Sequence, residues 1–497
     1  MTRISVAMIT DLDGQARHHL LRADGQEDVC LATYAPSTGD LRTTAVLTDL
    51  LLPRGDERRV HGNASFSGQY VVRAASEAAA RGLGIALLHS HPAGGGWQPM
   101  SGVDQETEHS YARVAETITG LPLIGMTIAG DGSWSARSWT ATHGHRDAES
   151  VRVAGPVLRV SWNAGLRPAP IATEAQIRTV SAWGEAMQAD VARLRVLVVG
   201  VGTVGLDLAI RLVQAGTQHV SVMDFDTVKV LNLDRLVTAT RFDAAMLRSK
   251  IYVALRAMRA AATATEPVLT GYDLSICEPG GLRVALDHDV IFSCVDRPWP
   301  RAVLNQLAYS DLIPVIDGGL AIEPFPRGGM RNATCRTHVL TPGRPCMQCS
   351  GQIDGAQVAR DRAGLFDNET YIRNAGLRLP GRQNVSLLAP SVTASMLAQF
   401  VSLAVAPGGF GVPAPLRFSL STHTLEHMSA ETLAGCTYEQ TLCGGDRRPD
   451  LTSRDRSAEE ARQMRAASVR TLRVRIGRAS QHVLEKAVGA IERLWGS

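Results

Sequence analysis

Val196-Leu197-Val198-Val199 is an unbroken aliphatic run, followed at once by Gly200-Val201-Gly202-Thr203-Val204-Gly205. A strand that is apolar at every position has no face to offer water. It must be covered on both sides, as in a parallel sheet packed between helices. From 196 to about 320 strand-like and helix-like stretches keep alternating, which predicts an α/β, doubly wound sheet. The glycine turn lets a phosphate approach the backbone and the N-terminus of the next helix. Asp224 follows the strand-like Val220-Ser221-Val222-Met223, where a ribose hydroxyl would be held. Up to this point a nicotinamide dehydrogenase is equally well served.

The next segment argues against that. It reads Asp224-Phe225-Asp226-Thr227-Val228-Lys229-Val230-Leu231-Asn232-Leu233-Asp234-Arg235, with Lys250 further on. A dehydrogenase has no use for an Asn, an Arg and a Lys directly after the ribose acid. A triphosphate does, because Arg and Lys neutralise its charge and a carboxylate holds magnesium. Asp296, after the apolar run Val290-Ile291-Phe292, offers that carboxylate. Taken singly, each of these residues reads as an ordinary solvated loop position; their order as a set does not.

The set resembles the adenylating domain of the ThiF/MoeB and ubiquitin-activating families, over residues 173–445. The resemblance assigns Gly200, Gly202 and Gly205 to the nucleotide turn, Asp224 to the ribose and Asp226 to the ATP site. It assigns Asn232, Arg235 and Lys250 to the phosphates and Asp296 to magnesium. Arg178, ahead of Trp183-Gly184, matches the segment that lends an arginine to the partner subunit's ATP, which implies a homodimer. The implied chemistry is attack by the C-terminal glycine carboxylate of a ubiquitin-like protein on the α-phosphate of ATP, giving an acyl-adenylate. A conjugating enzyme is a further implied partner. The family's structural zinc, held by two Cys-x-x-Cys pairs, is matched by Cys346 and Cys349 and by Cys436, with Cys443 as a substitute fourth ligand. The plain alternative is a set of reduced structural thiols. No cysteine lies between 350 and 435, where a thioester nucleophile would be expected, so Cys443, ahead of Cys335, is the remaining candidate.

The N-terminal part carries a different pattern. Ile85-Ala86-Leu87-Leu88 reads as a buried strand and runs into His89-Ser90-His91-Pro92, then Gly94-Gly95-Gly96, then Ser101-Gly102-Val103-Asp104. Alternate residues of a strand share a face, so the two imidazoles can bind one metal. Ser101 and Asp104 share a face of a first helical turn. Two imidazoles and a carboxylate leave the fourth position of a tetrahedral zinc open, the arrangement of a hydrolase. A lone His-x-His is more often a surface pair, as His143 and His145 would be; the first pair differs in its neighbours. The pattern resembles the JAMM motif of JAB/MPN metalloproteases, which act on ubiquitin-like proteins. That resemblance makes His89, His91 and Asp104 the ligands of a catalytic zinc, Glu27 the general base and Ser101 the oxyanion donor. Together the halves resemble the fusions of bacterial ubiquitin-like conjugation systems. The expected function is adenylation of a ubiquitin-like protein plus zinc-dependent trimming of its precursor or removal from conjugates. The alternative is processing and activation of a sulfur carrier, ending in a thiocarboxylate.

At 497 residues more than one core is expected. The division predicted is a JAB/MPN domain at 1–145, a linker at 146–172 hinged near Arg167-Pro168-Ala169-Pro170, the adenylating domain at 173–445, and an arginine-rich, exposed helical tail at 446–497. One helix is expected from Thr173 to Leu194, and an apolar one near Ser391 to Val405. A net charge of +3 gives no reason to expect nucleic acid, and the apolar runs give none to expect a membrane. Eight cysteines, with a single tight pair, fit metal binding in a reducing cytoplasm better than a disulfide scaffold.

Overall fold

The computed structural model describes residues 2–61, 63–374 and 385–468. Two large sheets organise it. The first has nine strands, in the order Arg159–Trp162, Ser150–Ala154, Arg3–Ile9, Arg42–Leu51, Val29–Thr38, Gly84–His91, Leu123–Ala129, Trp134–Thr140 and Gly144–Asp147. One face buries Leu12, Ala16 and Leu20 of the helix Thr10–Leu20; the other buries Tyr70, Ala74 and Ala78 of Gly68–Ala79 and Ala112 and Ala115 of Gly102–Thr119.

The second sheet has eight strands: Val268–Tyr272, His219–Met223, Arg195–Val199, Val290–Ser293, Val315–Pro324, Met330–Leu340, Leu416–Ser419 and Thr424–His427. The first five pair in parallel. In chain order within this half they run third, second, first, fourth, fifth, so the winding reverses between Arg195–Val199 and Val290–Ser293. Ligands of open α/β sheets bind at that reversal, beyond the carboxyl ends of the strands. Val196, Leu197 and Val198 are wholly buried, as their sequence requires.

Several expectations need correction. Residues 146–172 are not a linker: Ser150–Ala154 pairs in parallel with Arg3–Ile9, and Arg159–Trp162 pairs with it in turn. Arg167 is no free hinge either, since it is buried, donates to the Arg193 carbonyl and lies over the Trp162 ring. The helix expected from 173 to 194 is a turn at Glu174–Gln176 and two helices, Ile177–Trp183 and Glu185–Arg193, broken at Gly184 with φ +88°. The segment Ser386–Ala404 is long and apolar enough to cross a membrane, with mean hydropathy 1.5. Its helix Ala389–Ala404 instead buries Val392, Met396, Phe400 and Leu403 in the core of the second half. The tail is also less exposed than expected. A helix over 456–468 packs through Ala458 and Ala461, while 469–497 lie outside the described residues.

A seam of buried charge joins the halves. Arg42 and Arg152, fully buried on the first sheet, both donate to one oxygen of Asp289; the Asp289–Arg152 distance is 2.8 Å. The other oxygen accepts the Arg195 backbone N–H at 2.9 Å, and the Arg195 guanidinium pairs with Glu149. Burial would raise the Asp289 carboxyl, yet Arg42, Arg152 and Arg195 hold it far below the carboxylate range. Charges this deep tolerate burial only when each has its partner.

Candidate functional sites

The strand Gly84–His91 ends with His89 and His91 on one side, partly exposed. Ser101 caps the helix Gly102–Thr119. Its Oγ accepts the Asp104 N–H at 3.2 Å, and the Asp104 carboxylate accepts the Ser101 N–H at 2.9 Å. This reciprocal cap fixes the Asp104 side chain. His89 Nε2 lies 3.5 Å and His91 Nε2 3.4 Å from the two Asp104 oxygens. One donor atom from each of the three residues falls within 4.8 Å of the others. Burial opposes ionisation of Asp104, but the two imidazoles hold its carboxyl far below the ordinary range. His91 is raised, chiefly by Asp104 and further by Glu27, so the Glu27 carboxylate lies within electrostatic reach of the triad. The Ser101 hydroxyl is exposed, and its hydrogen is not used in the cap.

Behind His89 stands a buried chain that the sequence did not announce. Thr127 Oγ1 lies 3.4 Å from His89 Nε2 and accepts Arg137 Nη1 at 2.8 Å. Arg137 pairs with Glu108, which also accepts the Trp139 indole N–H at 2.5 Å. Gly125 is required here, because a Cβ would sit 2.0 Å from a Glu108 oxygen. Arg137 at an inward-facing strand position was the available signal.

The larger site is a cavity of about 1560 Å³ at the winding reversal of the second sheet. Gly200 turns with φ +90°, and a Cβ there would lie 2.7 Å from the Cys294 carbonyl oxygen. Gly205 lets the helix Thr203–Gln214 press on the turn: its Cβ would lie 1.9 Å from the Gly200 oxygen. Gly200, Gly202, Asp224, Asp226, Asn232, Arg235, Lys250 and Asp296 all line this one cavity. Asp224 accepts the Val201 N–H at 2.7 Å and so ties the strand end to the glycine turn. Lys250 Nζ lies 2.7 Å from Asp226 and 3.8 Å from Asp224. Burial pulls the Lys250 ammonium down, but the two carboxylates outweigh it and keep it charged. Arg235 donates to the Leu231 carbonyl at 2.9 Å, and the Asn232 amide oxygen accepts the Lys229 N–H. Arg178 is exposed on Ile177–Trp183 and is no part of this cavity wall.

Sequence reading missed Asp317, Arg301 and Arg336. The buried Asp317 accepts Arg301 at 2.8 Å and pairs with Arg336 at 3.1 Å, and both arginines line the cavity. An isolated Arg on a helix and another on a strand gave no signal.

Cys346 Sγ lies 3.5 Å from both Cys349 Sγ and Cys436 Sγ, with all three thiols within 4.8 Å of one another. Burial opposes thiolate formation at Cys349, but the Leu433 N–H and the two neighbouring thiols pull its pKa down. These three donors suit a zinc. Cys443 does not join them: it is buried against Ala7, Val46, Ala154 and Leu312. That burial pushes its thiol up to about 12, which also removes it as a nucleophile. Cys335 is likewise buried and raised.

Residues 173–418 match the ThiF family. The molybdopterin-synthase adenylyltransferase of Escherichia coli is 26% identical over 163 residues, 32% of this chain and 60% of the relative. An adenylyltransferase and sulfurtransferase, uba4 of Ogataea parapolymorpha, is 33% identical over 133 residues, 26% of this chain and 32% of the relative. The chain thus spans 60% or less of these relatives. A crystal structure of E. coli MccB with ATP is a distant likeness: TM-score 0.41, 13% identity, covering 53% of this chain and 74% of MccB.

Proposed function

We propose that the second half adenylates the C-terminal carboxylate of a small, glycine-ended, ubiquitin-like protein. The observation that carries this is the gathering of Asn232, Arg235, Lys250 and Asp296 with the glycine turn in one cavity, in the part of the chain that matches the ThiF family. The carboxylate oxygen bonds to the α-phosphorus of ATP while the bond from that phosphorus to the bridging oxygen breaks, releasing pyrophosphate. Arg235 and Lys250 offset charge on the phosphates, and Asp224 holds the ribose. Asp296 would hold a magnesium ion, which supplies charge neutralisation and orientation. In a homodimer Arg178 would serve the other subunit's nucleotide. Catalysis of this kind is positioning and electrostatics. Pyrophosphate exchange into ATP that depends on a glycine-ended carrier tests it; a folded protein that binds a nicotinamide nucleotide and not ATP would overturn it.

The first half is read as a JAMM-type peptidase for the same carrier, the whole resembling the fusions of bacterial ubiquitin-like systems. His89, His91 and Asp104 would hold a zinc that activates water and polarises the scissile carbonyl. Glu27 takes the water's proton and returns it to the leaving amine, and the Ser101 hydroxyl donates to the developing oxyanion. Cys346, Cys349 and Cys436 would hold a second, structural zinc. A conjugating enzyme as the next partner and a cytoplasmic location belong to the same reading.

A second reading is sulfur-carrier activation. It is favoured by the burial of Cys335 and Cys443, which leaves neither poised to form a thioester. A thiocarboxylate on the carrier, seen by mass spectrometry, would select it; a lysine conjugate would select the first.

A further inference from the structure

Residues beyond the ThiF match reach the nucleotide cavity. Ser453, Arg454, Asp455 and Arg456 form part of its wall. The chain arrives there along a row of anchors: the Trp299 indole N–H donates to the Leu451 carbonyl at 2.7 Å, and Ser453 N–H to the Cys277 carbonyl at 2.9 Å. Ser275 Oγ then donates to Asp455 at 2.7 Å. The helix over 456–468 places Ala458, Ala461, Arg462 and Arg465 on one face, at the spacing of a buried stripe. Ala458 and Ala461 are buried, and Arg462 pairs with Glu278. Arg465 donates to the Phe225 carbonyl and to both oxygens of Asp273, at 2.5 and 2.6 Å.

The Arg465 anchors have a side. Phe225 lies between Asp224 and Asp226 at the carboxyl end of His219–Met223, and Asp273 follows Val268–Tyr272. That is the ribose side of the reversal. The glycine turn, Arg235 and Asp296 belong to the phosphate side. We propose that residues 453–456 form part of the nucleoside-side wall of the ATP site, held there by the helix over 456–468, with Arg465 a positioning residue that fixes the Asp224–Asp226 loop. The segment gives this chain a nucleotide determinant that lies outside its ThiF match. The proposal rests on the adenylation reading.

The test is calorimetric binding of Mg·ATP to the full-length protein and to Arg465→Ala, Arg465→Lys and the outward-facing control Glu460→Ala. Arg465→Ala should weaken ATP binding about tenfold, the size of one charge-assisted hydrogen bond. Arg465→Lys should fall between, since an ammonium lacks the planar fork that spans Phe225 and Asp273. In exchange assays the KM for ATP should rise with kcat and the KM for carrier unchanged, and proteolysis within 449–468 should slow when Mg·ATP is added. If Arg465→Ala lowers the melting temperature, Asp273→Ala reads the same anchor from the other side. Wild-type binding with equal binding by both folded variants overturns this proposal and leaves the adenylation reading standing. Failure of wild type to bind ATP overturns both.

Discussion

The metal triad and the nucleotide cavity are built on opposite plans. The triad is short in sequence and ready in space: a strand end supplies two imidazoles, and a helix cap clamps the carboxylate against them. The cavity draws on residues from Gly200 to Arg456, and several of its charged side chains already have partners: Lys250 in Asp226, Arg235 in a carbonyl, Arg301 and Arg336 in Asp317. A metal can enter the first with little rearrangement. On the adenylation reading a triphosphate would exchange internal pairings for its own, so nucleotide affinity would report a difference between two sets of contacts. Preorganisation belongs to the small site and adaptability to the large one.

The sharpest test of that contrast is Asp296→Ala. It should lower carrier-dependent pyrophosphate exchange by about 10³-fold, the upper end for loss of one electrostatic contributor. Zinc content should stay unchanged. Loss of zinc as well would show that the two sites are not separable.

Next comes the seam. Asp289→Ala leaves Arg42 and Arg152 buried without a counter-charge and should cost about 3–5 kcal/mol. A denaturant titration followed separately in each half should change from one shared transition to two. A single unshifted transition would show that the apolar contacts alone couple the halves. Truncation near residue 150 is no substitute, because it cuts into the first sheet and removes Arg152.

Glu27→Gln should retain zinc and lose peptidase activity by about 10²-fold, the usual share of a general base. Activity that survives would pass the role to another acid, with Glu106 the next to replace.

The smallest effect is in pH. Burial depresses His288, whose Nδ1–H donates to the Val284 carbonyl at 2.9 Å, to about 3. An unfolded histidine titrates near about 6.5, so between those values the unfolded chain takes a proton that the folded one refuses. This term should lower stability progressively as pH falls from about 6.5 toward 3. In His288→Gln, denaturant midpoints taken at about pH 7 and about pH 5 should differ less than in wild type. An identical pH dependence would remove His288 as the source.

What sequence reading captured follows from the range of the physics. The doubly wound half, the strand ahead of His89 and the helical turn that brings Ser101 and Asp104 together are local matters of apolar runs, glycine turns and helix starts; that Ser101 caps the helix was not read. The strand Ser150–Ala154 was missed because Arg152 at its centre reads as a solvent position. Its counter-ion, Asp289, lies 137 residues away. Cys443 was misplaced for the converse reason: proximity in sequence to Cys436 implied a shared site, but its side chain packs with Ala7, Val46, Ala154 and Leu312, apart from the other three thiols. The chain Glu108–Arg137–Thr127 is likewise non-local and came to light only in three dimensions.

The Asp289 node bears on descent as well as on folding. Arg42 and Arg152 lie on one side of any cut that would detach the first sheet, and Asp289 and Arg195 on the other. A recombination event that exchanged either half for a homologue's would strand guanidiniums or carboxylates in an apolar interior. The halves are therefore expected to be inherited together, and substitutions at 42, 152 and 289 to arise in concert across relatives that share the seam. Grafting the first half alone onto another scaffold would require Arg42 and Arg152 to be replaced by apolar side chains first.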